Sequence, residues 1–277
     1  MSYVYLITGG TGSLGTALVR RLLKDSDTHR VRIFSRDEFK QSEMRKEFTD
    51  DRLRWQIGDI RDLERLKIAF QGVDYVIHTA ALKQVHTCEY NPHETIMTNI
   101  DGSRNVVIAA QYCGVRKVMG ISSDKAVEPV SLYGATKLVM ERLFIQANMW
   151  GNAAFSLCRM GNFIGSRGSV IPMFLEAIKT GKIVITDDRC ARYWIDLPSA
   201  ADFVVQALRA TQGGEIYIPS MQRITVKEWS DMIAHDAVKE YIGLRDGERL
   251  DEPLWSEVEK PEEKDWGWLI TPQLLTV

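Results

Sequence analysis

The stretch Gly9-Gly10-Thr11-Gly12-Ser13-Leu14-Gly15 lies between a short β-rich run, Tyr3–Thr8, and a segment with helical periodicity, Thr16–Lys24. This order predicts a strand, a glycine-rich turn and a helix. Glycines let the backbone turn tightly and approach a pyrophosphate, and the helix N-terminus offers free N–H groups to that anion. Gly10-x-Gly12-x-x-Gly15 is therefore a dinucleotide-binding fingerprint in the context that the fingerprint requires. A purely structural glycine turn is the alternative.

Further strands alternate with helical segments along the chain, which predicts an α/β fold with a Rossmann-type, doubly wound parallel sheet. The predicted strands are Tyr3–Thr8, Arg30–Phe34, Leu53–Ile57, Val73–His78, Lys117–Ile121 and Ala154–Arg159. We expect residues 1–160 to form an NADP-binding domain that also carries the catalytic residues. Residues 161–277 should form mainly a smaller C-terminal substrate-binding lobe, although the helix at 198–210 can return to the first domain.

The composition disfavours several classes of protein. The formal net charge of −2 gives no electrostatic case for binding nucleic acid or an anionic membrane. The opening residues resemble a strand more than a signal peptide, and no apolar run reaches the length of a membrane span. The four cysteines are dispersed, so we expect no disulfide framework, no metal site and a location in the reducing cytoplasm.

The end of the second predicted strand bears on the choice of cofactor. An NAD-preferring site tends to place an acid there to hold the ribose 2′-hydroxyl, but this chain has Ser35 followed by Arg36. A guanidinium at that position can bind a 2′-phosphate, which favours NADP. The alternative is a solvated arginine beside Asp37 and Glu38. The residues expected to contact NADP are Gly9, Thr11, Gly12, Ser13, Leu14, Gly15, Ser35, Arg36, Glu38, Lys40, Asp59, Ile60, Thr79, Ala80, Ala81, Lys83, Asn99, Tyr133 and Lys137.

A second motif, Ser122-Ser123-Asp124-Lys125 with Tyr133 and Lys137, follows the fifth predicted strand. Positions i and i+4 lie on one face of a helix, so Tyr133 and Lys137 can face the same ligand. A nearby ammonium favours the phenolate and would lower the pKa of Tyr133. This pair suits removal of a hydroxyl proton while hydride leaves the adjacent carbon. Tyr-x-x-x-Lys alone is also compatible with an ordinary amphipathic helix.

Together these motifs resemble the extended short-chain dehydrogenase/reductase family, specifically its inverting UDP-N-acetylglucosamine 4,6-dehydratases of bacterial surface-sugar and flagellin-glycan synthesis. The resemblance runs from about Tyr5 to Glu252. It rests on Thr8–Gly15, Ser35–Met44, Ala81–Lys83, Glu89–Pro92, Ser123–Ala126, Leu132–Leu138, Gly161-Asn162, Gly165–Ser169 and Gly247-Glu248 with Leu250. Retaining hexose 4,6-dehydratases are similar but carry an acid where Lys125 stands.

The resemblance implies a mechanism with catalytic NADP. Tyr133, assisted by Lys137, would remove the O4 proton while hydride passes from C4 to NADP⁺. Lys125, as a neutral amine, would take the C5 proton, and a protonated Asp124 would protonate the departing C6 hydroxyl. Return of the hydride to C6 and reprotonation from the opposite face would give a UDP-2-acetamido-2,6-dideoxy-hexos-4-ulose with C5 inverted. The substrate contacts implied in the same way are Lys83, Ser123, Asn162, Arg167, Arg192 and Arg245.

Two alternative functions stay open from the sequence. One is another nucleotide-sugar dehydratase or a 4-epimerase of the same class, and the other is a non-catalytic NADP-binding sensor. The resemblance also implies a homo-oligomer, a dimer or larger. The acidic segment Asp251–Asp265 is expected to be solvated or loosely docked, although Trp255, Trp266 and Trp268 indicate that part of it packs against something.

Overall fold

A mostly parallel β-sheet forms the centre of the protein in the computed structural model, which describes residues 2–166, 174–175, 181–233, 235–245 and 247–272. Within these residues the sheet has nine strands, in the order β13-β14-β10-β6-β5-β4-β1-β2-β3. Its strands are β1 (Tyr3–Thr8), β2 (Thr28–Ser35), β3 (Leu53–Ile57), β4 (Tyr75–His78), β5 (Lys117–Ser123), β6 (Ala154–Met160), β10 (Ile216–Pro219), β13 (Glu262–Lys264) and β14 (Gly267–Ile270). The order 3-2-1-4-5-6 is that of a Rossmann fold. The predicted fold class is confirmed.

The central strands β1, β4, β5 and β6 are buried on both faces of the sheet, which explains why they consist mostly of apolar residues. In β1, Leu6 packs into one hydrophobic core and its neighbours Tyr5 and Ile7 pack into the other. The six predicted strands agree with the observed ones to within two residues at each end.

Helices cover both faces of the sheet. The helices of the first half are α1 (Ser13–Leu22), α2 (Glu38–Glu47), α3 (Leu63–Phe70), α4 (Val85–Tyr90), α5 (Pro92–Ile96), α6 (Gly102–Cys113) and α7 (Leu132–Ala147). A π-helical turn, Met97–Asp101, joins α5 to α6. Helix α1 begins three residues earlier than predicted because Gly12, with extended backbone angles, already serves as its N-cap.

The second half of the chain contributes to both the lobe and the central sheet. The lobe contains β7 (Asn162–Ile164), β9 (Ala191–Asp196) and β11 (Gln222–Thr225) in one sheet, β8 (Lys182–Ile185) and β12 (Val238–Tyr241) in another, and α9 (Val226–Ile233). Helix α8 (Leu197–Ala210) packs against α1, where Arg21 donates to Asp202 at 2.6 Å. The division of the chain at residue 160 stays a prediction. Among the described helices, none has the length and apolar character needed to cross a bilayer.

The acidic segment after residue 250 is docked against the rest of the protein, as its tryptophans indicate for part of it, and is not a solvated tail. Glu252 and Leu254 are buried, and both oxygens of Glu259 accept hydrogen bonds from Arg159 at 2.8 and 3.0 Å. Trp255 and Trp268 contact each other, with ring centroids 5.3 Å apart. The segment then enters the central sheet as β13 and β14.

Candidate active site

The glycine-rich turn is held close to the neighbouring loop, as a dinucleotide-binding turn requires. Gly9 has φ of +68°, and a Cβ there would lie 2.8 Å from the Ala80 backbone. A Cβ at Gly15 would lie 2.7 Å from the backbone of Gly10, so the turn can pack against α1 only without side chains at these positions. The first turn of α1 therefore opens directly onto the cleft above the sheet.

One continuous cleft runs from this turn to the end of β5. It is lined by most residues predicted to contact the cofactor: Gly9, Thr11, Gly12, Ser13, Leu14, Gly15, Ser35, Arg36, Lys40, Asp59, Ile60, Thr79, Ala80, Ala81, Lys83, Tyr133 and Lys137. Ser123 lines the same cleft. The sequence motifs, which are far apart in the chain, thus meet at the carboxyl edge of the parallel strands.

Glu38 and Asn99 are not part of that lining. Glu38 is exposed at the start of α2. Asn99 is buried in the π-helical turn, where its Oδ1 accepts from the Leu82 N–H at 2.8 Å and its Nδ2 donates to the Leu82 carbonyl at 2.9 Å. Asn99 therefore holds the loop that carries Ala81 and Lys83.

Arg36 lies at the end of the cleft where the second strand stops. Its side chain is 49% exposed, and Nη1 lies 3.4 Å from Asp59 Oδ2. The carboxylate of the neighbouring acid, Asp37, caps the N-terminus of α2 by accepting from the Lys40 N–H, and it also pairs with the Lys40 ammonium at 2.8 Å. The guanidinium is thus held loosely by one carboxylate and remains accessible to an anion in the cleft.

Tyr133 and Lys137 lie one turn apart on α7, and both are buried. Burial raises the pKa of Tyr133 above its usual value, and a hydrogen bond with Ser123 partly opposes that rise. Burial lowers the pKa of Lys137 to about 8, while Glu141 opposes the shift. The expected lowering of the tyrosine pKa by Lys137 is absent here, because the Lys137 ammonium donates to the Ile121 carbonyl at 2.7 Å and burial dominates.

The Asp124 carboxyl lies at the end of β5 and is 0% exposed. Its Oδ1 accepts from Ser123 Oγ at 2.8 Å, from the Lys125 N–H at 2.8 Å and from Lys125 Nζ at 3.2 Å. Its Oδ2 is buried and has no hydrogen-bond partner among the described residues. An orphaned buried carboxyl oxygen beside an amine is suited to proton transfer with a ligand.

Glu252 joins this group, although sequence reasoning did not select it as a site residue. Its Oε1 lies 3.6 Å from Lys125 Nζ. Burial raises the pKa of Glu252, and the positive charge of Lys125 partly opposes the rise. The acidic composition of the segment concealed this residue, because one buried carboxylate among many exposed ones gives no pattern in the sequence.

The residues predicted to bind substrate have different surroundings. Asn162 is half-buried on β7 beside the cleft residue Gly161. Arg192 donates to the carbonyls of Arg249 and Leu250 at 2.8 and 3.1 Å, so it clamps the chain there. Arg245 is exposed, and its Nη1 lies 3.3 Å from His86 Nε2. Arg167 lies outside the described residues.

Comparisons with known proteins extend over almost the whole chain. A family model described as a polysaccharide biosynthesis protein matches residues 5–271. An inverting UDP-N-acetylglucosamine 4,6-dehydratase of Campylobacter jejuni is 45% identical over 256 residues, which cover 91% of this chain and 77% of that protein. A UDP-glucose 4-epimerase of Rickettsia akari is 40% identical over 273 residues, which cover 95% of this chain and 80% of the epimerase.

Solved structures with the same fold include Pen from Bacillus thuringiensis, with a TM-score of 0.94 and 37% identity over 99% of this chain and 90% of that one. DesIV, a dTDP-glucose 4,6-dehydratase from Streptomyces venezuelae solved with NAD bound, has a TM-score of 0.83 over 90% of this chain and 87% of that one. At 23% identity, the second likeness shows the fold alone.

Proposed function

The chain belongs to the polysaccharide biosynthesis protein family, and on that premise we propose that it is an NADP-dependent UDP-N-acetylglucosamine 4,6-dehydratase that inverts C5. The observation that carries the proposal is the buried Asp124 carboxyl beside the Lys125 amine, directly after Ser123, which lines the cleft together with Tyr133. The identity of 45% to an inverting enzyme with this activity supports the choice of substrate. The product would be a UDP-4-keto-6-deoxy sugar for surface-glycan synthesis.

The residues of the cleft fit a nicotinamide dinucleotide. The turn at Gly9–Gly15 leaves a cradle that a side chain would fill, and the N-terminus of α1 faces it, as a pyrophosphate requires. Bound there, the cofactor would supply a hydride acceptor for the sugar and return the hydride later. The accessible guanidinium of Arg36 favours NADP over NAD, since it can meet a 2′-phosphate.

The first proton transfer falls to Tyr133. With the sugar C4 hydroxyl in the cleft, the phenolate form of Tyr133 would take the O4 proton, and Ser123 would hydrogen-bond O4 or the ketone that forms. A raised pKa for Tyr133 opposes this step, so the phenolate needs a positive charge brought near it. Lys137, one turn away on α7, would supply such a charge once its ammonium is released from the Ile121 carbonyl.

Two further proton transfers would be carried out by the residues that directly follow β5, Asp124 and Lys125. A ketone at C4 acidifies the C5 proton, and Lys125 Nζ would accept that proton as a neutral amine. Asp124, whose Oδ2 has no hydrogen-bond partner within the part of the chain that the structure describes, would give its own proton to the C6 hydroxyl as it leaves.

Proton NMR of UDP-N-acetylglucosamine incubated with the protein and NADP⁺ in D₂O tests this function. We expect a new C6 methyl signal, deuterium at C5 and ring couplings of an inverted product. Tyr133→Phe should abolish the signal, whereas Tyr90→Phe, at an exposed tyrosine on α4, should not. An unchanged substrate after hours would overturn the proposal. Detected turnover would exclude a non-catalytic sensor.

A UDP-sugar 4-epimerase is the second candidate, favoured by the identity of 40% to the Rickettsia akari enzyme. An epimerase needs the C4 oxidation but no base at C5 and no acid at C6. The same NMR sample distinguishes the two, because an epimerase inverts C4 and leaves the C6 hydroxymethyl signals in place. A panel of UDP- and dTDP-hexoses would extend the test to other dehydratase substrates. Assembly as a homo-oligomer in the cytoplasm remains a prediction.

Arg36→Ala tests the choice of cofactor. We expect weaker binding of NADP by about tenfold or more, with NAD binding nearly unchanged, because the guanidinium would contact only the 2′-phosphate. Fluorescence titration with both cofactors measures the two affinities. Arg54→Ala, which removes the same charge from an exposed position on β3, is the control. Equal losses for NADP and NAD would contradict the assignment.

A further inference from the structure

Glu252 is a buried carboxylate with no role in the mechanism proposed above, and it lies beside Lys125, the proposed base. Glu252 is 3% exposed, and its Oε1 lies 3.6 Å from Lys125 Nζ. On its other side, the same amine lies 3.2 Å from Asp124 Oδ1. Lys125 therefore lies between two buried carboxyl groups, of which only Asp124 has a role in the elimination.

The backbone on both sides of Glu252 is fixed, so its position is not accidental. The Leu250 carbonyl accepts from the Ala191 N–H at 2.7 Å and from Arg192, which ties it to the start of β9. The Leu254 carbonyl accepts from the buried Arg159 at 2.9 Å. Glu252 lies between these two anchors, and the segment places its carboxyl group at the amine.

The surroundings of Glu252 make it a proton acceptor for a neighbouring amine. Desolvation penalises its charged form and raises its pKa, an effect that the negative charge of Asp124 reinforces. The positive charges that face it are Lys125, Arg192 and Arg249, which act in the opposite direction. A carboxyl with a raised pKa takes up a proton more readily than an ordinary glutamate does.

We propose that Glu252 is a positioning residue for Lys125, which it holds at the C5 side of the substrate and from which it takes one proton. The exchange is balanced: Lys125-NH₃⁺ and Glu252-COO⁻ become Lys125-NH₂ and Glu252-COOH. Asp124 thereby keeps the proton that the C6 hydroxyl needs, while Lys125 becomes the free base that C5 needs. The inference rests on the proposed dehydratase function and adds a residue to it.

Glu252→Gln separates this role from a structural one, because the two chemical steps have different readouts. Oxidation at C4 requires Tyr133 and is followed by absorbance at 340 nm, and elimination requires Lys125 and is followed by the C6 methyl signal in D₂O. We expect C4 oxidation within about twofold of wild type and methyl formation slower by about 100-fold, the usual scale of acid–base assistance. Reduced cofactor should therefore accumulate in the variant.

Asp251→Asn is the matched control, since the adjacent carboxylate is exposed and pairs with Arg223 at 2.6 Å. It should leave both steps unchanged. If Glu252→Gln does not fold, Glu252→Asp retains a carboxyl group and should show the same accumulation of reduced cofactor to a smaller extent. Methyl formation at the wild-type rate, or equal slowing of both steps, would overturn the proposal. A wild-type protein that forms no methyl product would overturn the dehydratase function itself, and the inference with it.

Discussion

At the scale of single residues, the two lysines of the site have different surroundings and are therefore suited to different tasks. Lys137 is a buried residue of α7, donates to the Ile121 carbonyl, and has a pKa lowered to about 8 by burial. Lys125 is half-buried and faces the carboxyl groups of Asp124 and Glu252. The first lysine is placed to supply charge to a tyrosine, and the second is placed to exchange protons with acids.

His78 is a buried titratable residue that has no role in the proposed reaction, and its burial makes the stability of the protein depend on pH. It lies between Thr8 Oγ1 at 2.7 Å and Ser103 Oγ at 3.0 Å, and burial, together with the charge of Lys137, lowers its pKa to about 3. Between pH 6.5 and 3 the unfolded chain binds a proton at this histidine that the folded protein does not bind. Stability should therefore fall as the pH falls through this range.

His78→Gln tests that conclusion. From pH 7 to pH 5 the histidine should reduce the free energy of unfolding by about 2 kcal/mol, and the variant should lack this part of the loss because glutamine does not titrate. Urea unfolding at both pH values measures the difference. His93→Gln removes an exposed histidine from α5 and should leave the pH dependence unchanged. An identical pH dependence in wild type and His78→Gln would contradict the argument.

At the scale of elements, the site depends on the close packing of α7 against the short helical turn Asp124–Ala126. A Cβ at Gly134 would lie 2.1 Å from the Lys125 carbonyl oxygen, closer than any real contact. The glycine after Tyr133 therefore fixes the separation between the phenol on α7 and the acid and base on the turn. Ser131 caps α7 by accepting from the Gly134 N–H at 3.2 Å, which holds the same turn of helix.

Gly134→Ala should push α7 away from that turn. We expect a loss of about 1–3 kcal/mol in stability, the usual cost of overpacking, and a fall in turnover that exceeds any change in cofactor affinity. Thermal unfolding and the NMR assay measure the two effects. Val139→Ala, on an exposed position of the same helix, should be neutral for both. A stable and fully active Gly134→Ala protein would show that the close approach has no bearing on the site.

The elements that could be predicted are those whose pattern is local. The glycine turn, the strands of the parallel sheet and the family resemblance are confirmed, because each depends on residues close together in the chain. The predicted lowering of the Tyr133 pKa is wrong, because burial of the phenol raises this pKa. That burial depends on which residues pack against α7, which the local sequence does not reveal. The ion pair that docks the acidic segment could not be predicted, because Glu259 pairs with Arg159, which lies about a hundred positions earlier in the sequence.

At the scale of the whole molecule, a buried charge network joins the end of the chain to the catalytic helix. Arg159 on β6 is 1% exposed, and it donates to both oxygens of Glu141 on α7 and to both oxygens of Glu259. Glu141 also accepts from Ser122 Oγ at 2.6 Å and raises the pKa of Lys137 against burial. One arginine thus links the docked segment that carries Glu252 to the helix that carries Tyr133.

Arg159→Met should therefore affect more than its own position. Removing the cation leaves Glu141 buried without its charge partner, which typically costs about 3–5 kcal/mol. It also frees the segment around Glu259, so limited proteolysis should cut there sooner than in wild type. Arg209→Met is the matched control: this arginine also bridges two carboxylates, Asp25 and Asp27, but it is exposed and should cost about 1 kcal/mol or less. Urea unfolding measures both losses, and equal losses in the two variants would show that the burial of the network adds nothing to its strength.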